Sequence, residues 1–147
     1  MELNRAEHHL YRLEYHLVWT PKYRCKAFKK PYTDTLKQIL IKIAYDYDMA
    51  VLEIEIPIDH VHMLVSIPPH TSISDAIRTF KSISAKEIFK RHPEFEQEYF
   101  WGGKLWSPSY YAETIGRVNE LAIKKYIRDQ LKKEERLKKR IKQLKLF

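Results

Sequence analysis

The stretch Val51-Leu52-Glu53-Ile54-Glu55-Ile56-Pro57-Ile58-Asp59-His60-Val61-His62-Met63-Leu64-Val65-Ser66-Ile67 decides the fold. Its first six residues set Val51, Glu53 and Glu55 against Leu52, Ile54 and Ile56, the period of two expected of a half-buried strand. Pro57-Ile58-Asp59 breaks the alternation, and His60 to Ile67 is a second run dense in Val, Met, Leu and Ile. Two such runs joined by a tight turn predict a pair of adjacent strands.

Upstream, Leu36, Ile39, Leu40, Ile43 and Tyr47 recur at helical spacing, with Thr33 or Asp34 as the expected cap. The basic loop Lys22 to Lys30 precedes this helix. Before the loop, Tyr11 to Thr20 begins with alternation, is rich in aromatics and ends at Pro21, which predicts a first strand. Downstream, Ser72 or Ser74 caps a long helix reaching about Arg91. Ile73, Ile77, Phe80 and Ile88 form one stripe of it, and Arg78, Lys81 and Ser82 lie on another. His92-Pro93 stops that helix. Tyr99 to Thr114, broken by Gly102-Gly103 and Pro108, predicts an irregular loop and a last strand. Gly116 then separates a terminal helix, from about Val118 to Lys139 or beyond. The order is strand, helix, strand, strand, helix, strand, helix. Up to the last helix this is the ferredoxin-like or RRM-like α+β alternation, an antiparallel sheet with helices on one face.

A chain of 147 residues with 44% hydrophobic content suits a single domain, 1–147, with one core. Its 27 Lys and Arg against 19 Asp and Glu give a formal charge of +8, which favours a polyanionic partner, nucleic acid before an anionic membrane surface. The single cysteine, Cys25, excludes an internal disulfide and a cysteine-based zinc cluster. An intracellular, cytoplasmic protein is expected, with no signal peptide and no membrane span. No Gly-x-x-x-x-Gly-Lys loop is present, so no nucleotide cofactor is expected.

Strand alternation sends His60 and His62 to the same face, about 7 Å apart at their alpha carbons. Both rings could then reach one metal ion, or could be two hydrogen-bonded histidines of a half-buried strand. Asp59 is a hard oxygen donor beside them. Imidazole and carboxylate with open water positions would suit Mg2+ or Mn2+, ions that assist phosphate chemistry. On the last helix Tyr126 and Gln130 stand four residues apart on one face. Basic and aromatic residues interleave from Trp19 to Lys26, with Lys22 and Arg24 among them, and Arg78 and Lys81 add a second basic set. Aromatics can stack on unpaired bases while Lys and Arg follow phosphates.

Together these segments resemble the HUH-type single-tyrosine transposases of the IS-two-hundred-like insertion sequences. The likeness runs from Tyr15-His16-Leu17-Val18-Trp19-Thr20-Pro21-Lys22-Tyr23-Arg24, through Asp59-His60-Val61-His62-Met63-Leu64-Val65 and Ile67-Pro68-Pro69. It continues in Phe100-Trp101-Gly102, Ser109-Tyr110-Tyr111, Thr114-Ile115-Gly116 and Tyr126-Ile127-Arg128-Asp129-Gln130. It implies that His60 and His62 hold the divalent metal, that Gln130 is the third protein ligand, and that Tyr126 is the nucleophile on a C-terminal catalytic helix. It also implies a homodimer acting on single-stranded DNA that carries a hairpin, and a tyrosine helix that can come from either subunit. Gly103-Lys104-Leu105-Trp106 departs from the commonest spelling of the family. Competing readings are a ferredoxin-like nucleic-acid-binding module without catalysis, a domesticated HUH endonuclease that processes chromosomal repeats, and a metal-dependent hydrolase.

Overall fold

The computed structural model describes residues 3–5 and 10–129. A short two-stranded ribbon, β1 (Asn4–Arg5) and β2 (Leu10–Tyr11), precedes the main sheet. That sheet contains β3 (Glu14–Trp19), β4 (Ala50–Glu55), β5 (Val61–Ser66) and β6 (Tyr111–Thr114), in the spatial order β4-β5-β3-β6. Every neighbouring pair is antiparallel. The helices are α1 (Tyr32–Asp46), α2 (Ile73–Arg91), α3 (Pro93–Tyr99) and α4 (Arg117–Asp129). The α+β, ferredoxin-like expectation is met: the two central strands are the first and third of the sheet, and the fourth strand lies at one edge.

Alternation divides the sheet into two unlike faces. Leu17 and Trp19 of β3, with Val61, Met63 and Val65 of β5, join Leu36, Ile39, Leu40 and Ile43 of α1 and Ile77, Phe80 and Ile88 of α2 in the main core. Trp19 and Phe80 stack with ring centroids 5.9 Å apart, and burying a side chain such as Phe80 contributes roughly 2 to 3 kcal/mol. The opposite face carries Val18 and Leu64, which pack with Tyr126 and Ile127 of α4. The helix α4 lies against β4 and β5. With both faces covered, all six residues of β5 are buried, and this accounts for its nearly continuous apolar reading.

Local chemistry sets the helix ends. The Ser72 side chain accepts a hydrogen bond from the Asp75 backbone N–H at 3.1 Å and caps α2, an interaction worth about 1 kcal/mol. The expected cap of α1 at Thr33 or Asp34 is corrected: the helix starts at Tyr32, with no side-chain cap. Tyr32 is drawn into the aromatic cluster, its ring 4.4 Å from that of Phe95, and this burial outweighs the missing cap. Pro93 ends α2 as expected but also starts α3, since proline at the first helical position gives up no intrahelical bond. Phe95, fully buried, anchors that short helix.

The Gly103–Trp106 insertion is tied to the end of β3. The Lys22 N–H donates to the Leu105 carbonyl at 2.8 Å, and the Ser107 N–H donates to the Thr20 carbonyl at 3.0 Å. Leu105 is buried, and Trp106 lies edge-on to Trp19 and donates from Nε1 to Ser84 Oγ at 2.9 Å. No helix of the described residues is long and apolar enough to cross a membrane.

Candidate active site

The polar face of the sheet gathers residues that the alternation places there in register. Along β5, His62 stands opposite Val18 of β3, and along β6, Glu113 stands opposite His16 and Tyr111 opposite Val18. His60 precedes β5 directly, and its ring centroid lies 5.1 Å from that of His62. Both histidines are buried. The expectation that alternation brings the two rings together is met.

Each imidazole is held through Nδ1. His60 Nδ1 lies 2.7 Å from Asp59 Oδ1, a charge-assisted contact length. The other oxygen of Asp59 lies 3.4 Å from the guanidinium of Arg24. His62 Nδ1 lies 3.1 Å from Nε2 of a third histidine, His16, which is fully buried. His16 Nδ1 faces Glu113 Oε1 at 3.9 Å, and Glu113 Oε2 accepts from the Tyr111 hydroxyl at 2.6 Å. Ligating histidines commonly give their second ring N–H to a carboxylate or another acceptor. Here a carboxylate backs His60 directly, and another stands behind His62 through His16.

Tyr126 completes the cluster. Its hydroxyl oxygen is buried, and its ring centroid lies 6.0 Å from that of His62. The helix that carries it is fixed beneath by Ile127, fully buried against Leu64 and Ile115. Beside it, Arg128 Nε donates to Glu53 Oε2 at 2.9 Å. The histidine strand and the tyrosine helix therefore meet within one chain. Gln130 lies outside the described residues.

The donor set fits a divalent ion. Nε2 of His60 is buried and hydrogen-bonds to no described residue, while its Nδ1 is engaged by Asp59; that leaves Nε2 as the lone-pair donor. The described residues hold no cluster of three or more His, Cys, Asp or Glu side chains suited to a metal. A two-histidine site therefore needs another kind of ligand, such as an amide, a phosphate or water. Asp59, considered from sequence as a possible ligand, is turned towards the back of His60 and towards Arg24.

The basic residues fall in two places. Lys22 to Arg24 form a tight turn in which Tyr23 and Arg24 adopt positive φ of 60° and 50°, sparsely populated for residues other than glycine. Tyr23 is left exposed there, with Lys22 Nζ 5.4 Å from its ring centroid. Arg78 and Lys81 line a cavity of about 530 Å³ together with Lys104, Trp106 and Tyr110. Lys81 does not project freely into it: its ammonium donates to the carbonyls of Ser107 at 2.7 Å and Ser109 at 2.9 Å. Burial pushes its pKa down to about 8. Arg78 is exposed and paired with Asp75 at 2.8 Å.

The sequence reading assigned no role to His16, Tyr111 or Glu113. The signal available for His16 was a titratable residue directly before the apolar Leu17-Val18-Trp19 run of β3. For Glu113 there was none beyond its place two residues after Tyr111.

Residues 9–130 match the protein family described as transposase, IS200 like. The chain is 37% identical over 134 residues to the ISDra2 transposase TnpA of Deinococcus radiodurans, covering 91% of this chain and 95% of that protein. It is 31% identical over 128 residues to the transposase for insertion sequence element IS200 of Salmonella typhimurium, covering 87% and 83%. Among solved structures, a candidate transposase from Deinococcus radiodurans superposes with a TM-score of 0.70 at 35% identity, over 86% of this chain and 97% of that one. A REP-associated tyrosine transposase bound to a REP hairpin superposes with a TM-score of 0.61 over 88% and 74%. At 15% identity it shows a shared fold alone.

Proposed function

The chain belongs to the IS200-like transposase family, and from that premise we propose that it cleaves and rejoins single-stranded DNA at insertion-sequence ends through a 5'-phosphotyrosine bond to Tyr126. Its relatives are transposases, so an enzyme acting on DNA is the coarser reading. The finer one is carried by the buried Tyr126 hydroxyl set beside His62, with ring centroids 6.0 Å apart.

The chemistry follows from what a phosphodiester demands. Its negative charge repels an approaching phenolate, so attack needs positive charge at the nonbridging oxygens. A Mg2+ or Mn2+ ion held by Nε2 of His60 and His62, with Gln130 as the third protein ligand, supplies that charge when bound. Tyr126 Oη attacks phosphorus, a P–O bond to Tyr126 forms, and the bond to the departing 3'-oxygen breaks. The proton lost by the phenol is balanced by the one the 3'-oxygen takes up. Because one phosphoester replaces another, attack by a 3'-hydroxyl reverses the step and rejoins strands without a nucleotide cofactor. Free tyrosine titrates near 10, so the phenol has to shed its proton during attack.

Arg78 and Lys104 at the rim of the 530 Å³ cavity, with Lys22 on the exposed turn, offer phosphate contacts, while Trp106 and Tyr110 offer ring faces for unpaired bases. Lys81 shapes that rim through the Ser107 and Ser109 carbonyls, and Arg24 reaches the site through Asp59. The resemblance is the support for a DNA hairpin as the recognised element and for a homodimer as the acting form.

The test is direct. The protein is incubated with single-stranded DNA carrying a hairpin and an element end, with Mg2+ or Mn2+, and a denaturation-resistant protein–DNA adduct is sought. The wild type should form one and Tyr126→Phe none. Cleavage without an adduct would indicate a hydrolase, binding without cleavage would indicate a non-catalytic module, and an adduct from Tyr126→Phe would move the nucleophile elsewhere.

A further inference from the structure

We infer that His16, oriented by Glu113, is a positioning residue that sets the tautomer of His62 and so keeps the His62 Nε2 lone pair available to a metal ion. The inference rests on the reading of His60 and His62 as metal ligands. A neutral imidazole carries one N–H and one lone pair, and only the nitrogen with the lone pair can ligate. The 3.1 Å contact between His16 Nε2 and His62 Nδ1 can run in either direction. If His16 donates, His62 carries its proton on Nε2 and cannot bind. If His62 donates, the lone pair lies on its Nε2.

Glu113 breaks this symmetry. Its carboxylate, on a partly exposed side chain, faces the buried His16 Nδ1 at 3.9 Å, beyond ordinary hydrogen-bond length but near enough to favour the tautomer that turns an N–H towards the negative charge. With the His16 proton on Nδ1, its Nε2 can only accept, and His62 must donate from Nδ1. The Tyr111 hydroxyl, donating to the other Glu113 oxygen at 2.6 Å, fixes the carboxylate's rotamer. Tyr111 also packs with Tyr126 across Val18. One edge strand thus supports both the ligand and the nucleophile. His60 reaches the same state by a shorter route, its Nδ1 held by Asp59 at 2.7 Å.

The experiment uses metal-free, 15N-histidine-labelled full-length protein. Long-range 1H–15N correlation reads the tautomer of His62, and calorimetric titration with Mn2+ supplies a second readout. In the wild type His62 should carry its proton on Nδ1. In His16→Leu it should shift towards Nε2–H, with the Mn2+ Kd raised about tenfold or more. His16→Gln, whose amide can accept from His62 and donate to Glu113, should restore the Nδ1–H form and most of the affinity. Glu113→Gln, on a partly exposed edge strand, keeps the test alive should His16→Leu fail to fold; it should give a mixed tautomer and an intermediate Kd. A wild-type His62 protonated on Nε2, or an unchanged tautomer and Kd in both His16→Leu and Glu113→Gln, would overturn the inference. Tautomers that shift as expected in a wild type and variants that take up no Mn2+ would instead overturn the metal reading, and with it the purpose assigned to His16.

Discussion

Replacing Asp59 by asparagine separates a residue that backs a ligand from one that is itself a ligand. Asp59 is mostly buried, with His60 Nδ1 at 2.7 Å and the Arg24 guanidinium at 3.4 Å. Asn in the same rotamer can still accept from the His60 N–H through its carbonyl oxygen, but the bond loses its charge, and charge-assisted bonds are roughly twice as strong as neutral ones. The amide can also flip and donate, which would favour the tautomer of His60 that cannot ligate through Nε2. Loss of such backing lowers metal affinity by about 10- to 100-fold, or about 1.4 to 2.8 kcal/mol. Calorimetric titration of DNA-free protein with Mn2+ measures this, with His60→Ala as the reference for a lost ligand. Arg24→Ala should change the Kd by less than about threefold, because its pair with Asp59 is part-exposed and long. Two results would refute the reasoning. An Asp59→Asn protein as weak as His60→Ala would make Asp59 a direct ligand, and one within twofold of wild type would leave His60 independent of its neighbour.

Lys81 supplies a pH signature. Burial lowers its pKa from 10.5 to about 8 in the folded protein, so between those values the unfolded chain binds more protons and stability rises with pH; below about pH 8 both states are protonated and its contribution is constant. Lys81 is half-buried and solvent screening reduces the effect, so the difference between wild type and Lys81→Met should grow by on the order of 1 kcal/mol across that window, read by urea unfolding; parallel profiles would show that the ammonium is not desolvated. Gly103 and Gly116 should respond in opposite directions to alanine. Gly116 has open space where a Cβ would stand and no positive φ, so Gly116→Ala should raise stability by about 0.4 to 1 kcal/mol. Gly103 holds φ of +76° with Glu96 Oε2 3.4 Å from the added atom, so Gly103→Ala should lower stability by about 1 to 2 kcal/mol; thermal unfolding of the pair decides.

The parts of the fold legible in the sequence are those whose burial is one-sided and whose partners are near in the chain. Val51 to Ile56 and His60 to Ile67 foretold β4 and β5 to within a residue at each end, but the strict alternation expected of the first run is corrected: the register shifts between Val51 and Glu53, so Val51 joins Ile54 against the main core and Leu52 packs on the α4 side. The helix α2 was equally plain, its apolar stripe and Ser72 cap agreeing. Less legible was α3, where Phe95 and Tyr99 make barely two turns and the proline that starts it had already been read as a stop. The start of α1 was displaced for the opposite reason: a tertiary aromatic contact at Tyr32 overrode a sound local capping signal.

The site divides along the same line. His60, His62 and Tyr126 were legible as candidates because a strand period and an ordered set of motifs nominate them, and Asp59 because it adjoins His60 in the chain. The support of His62 was not, since His16 stands 46 residues away and is brought beside it only when β3 pairs with β5 in one register. A slip of one residue would turn His16 into the apolar core and Leu17 towards the histidines. Glu113 depends in turn on the pairing of β6 with β3. The proposed ligands can thus be read from a motif, but the partners set against each imidazole depend on the topology of the sheet. A chain with the same motifs and Leu at position 16 would keep the recognisable histidine pair while losing the device that orients one of its members.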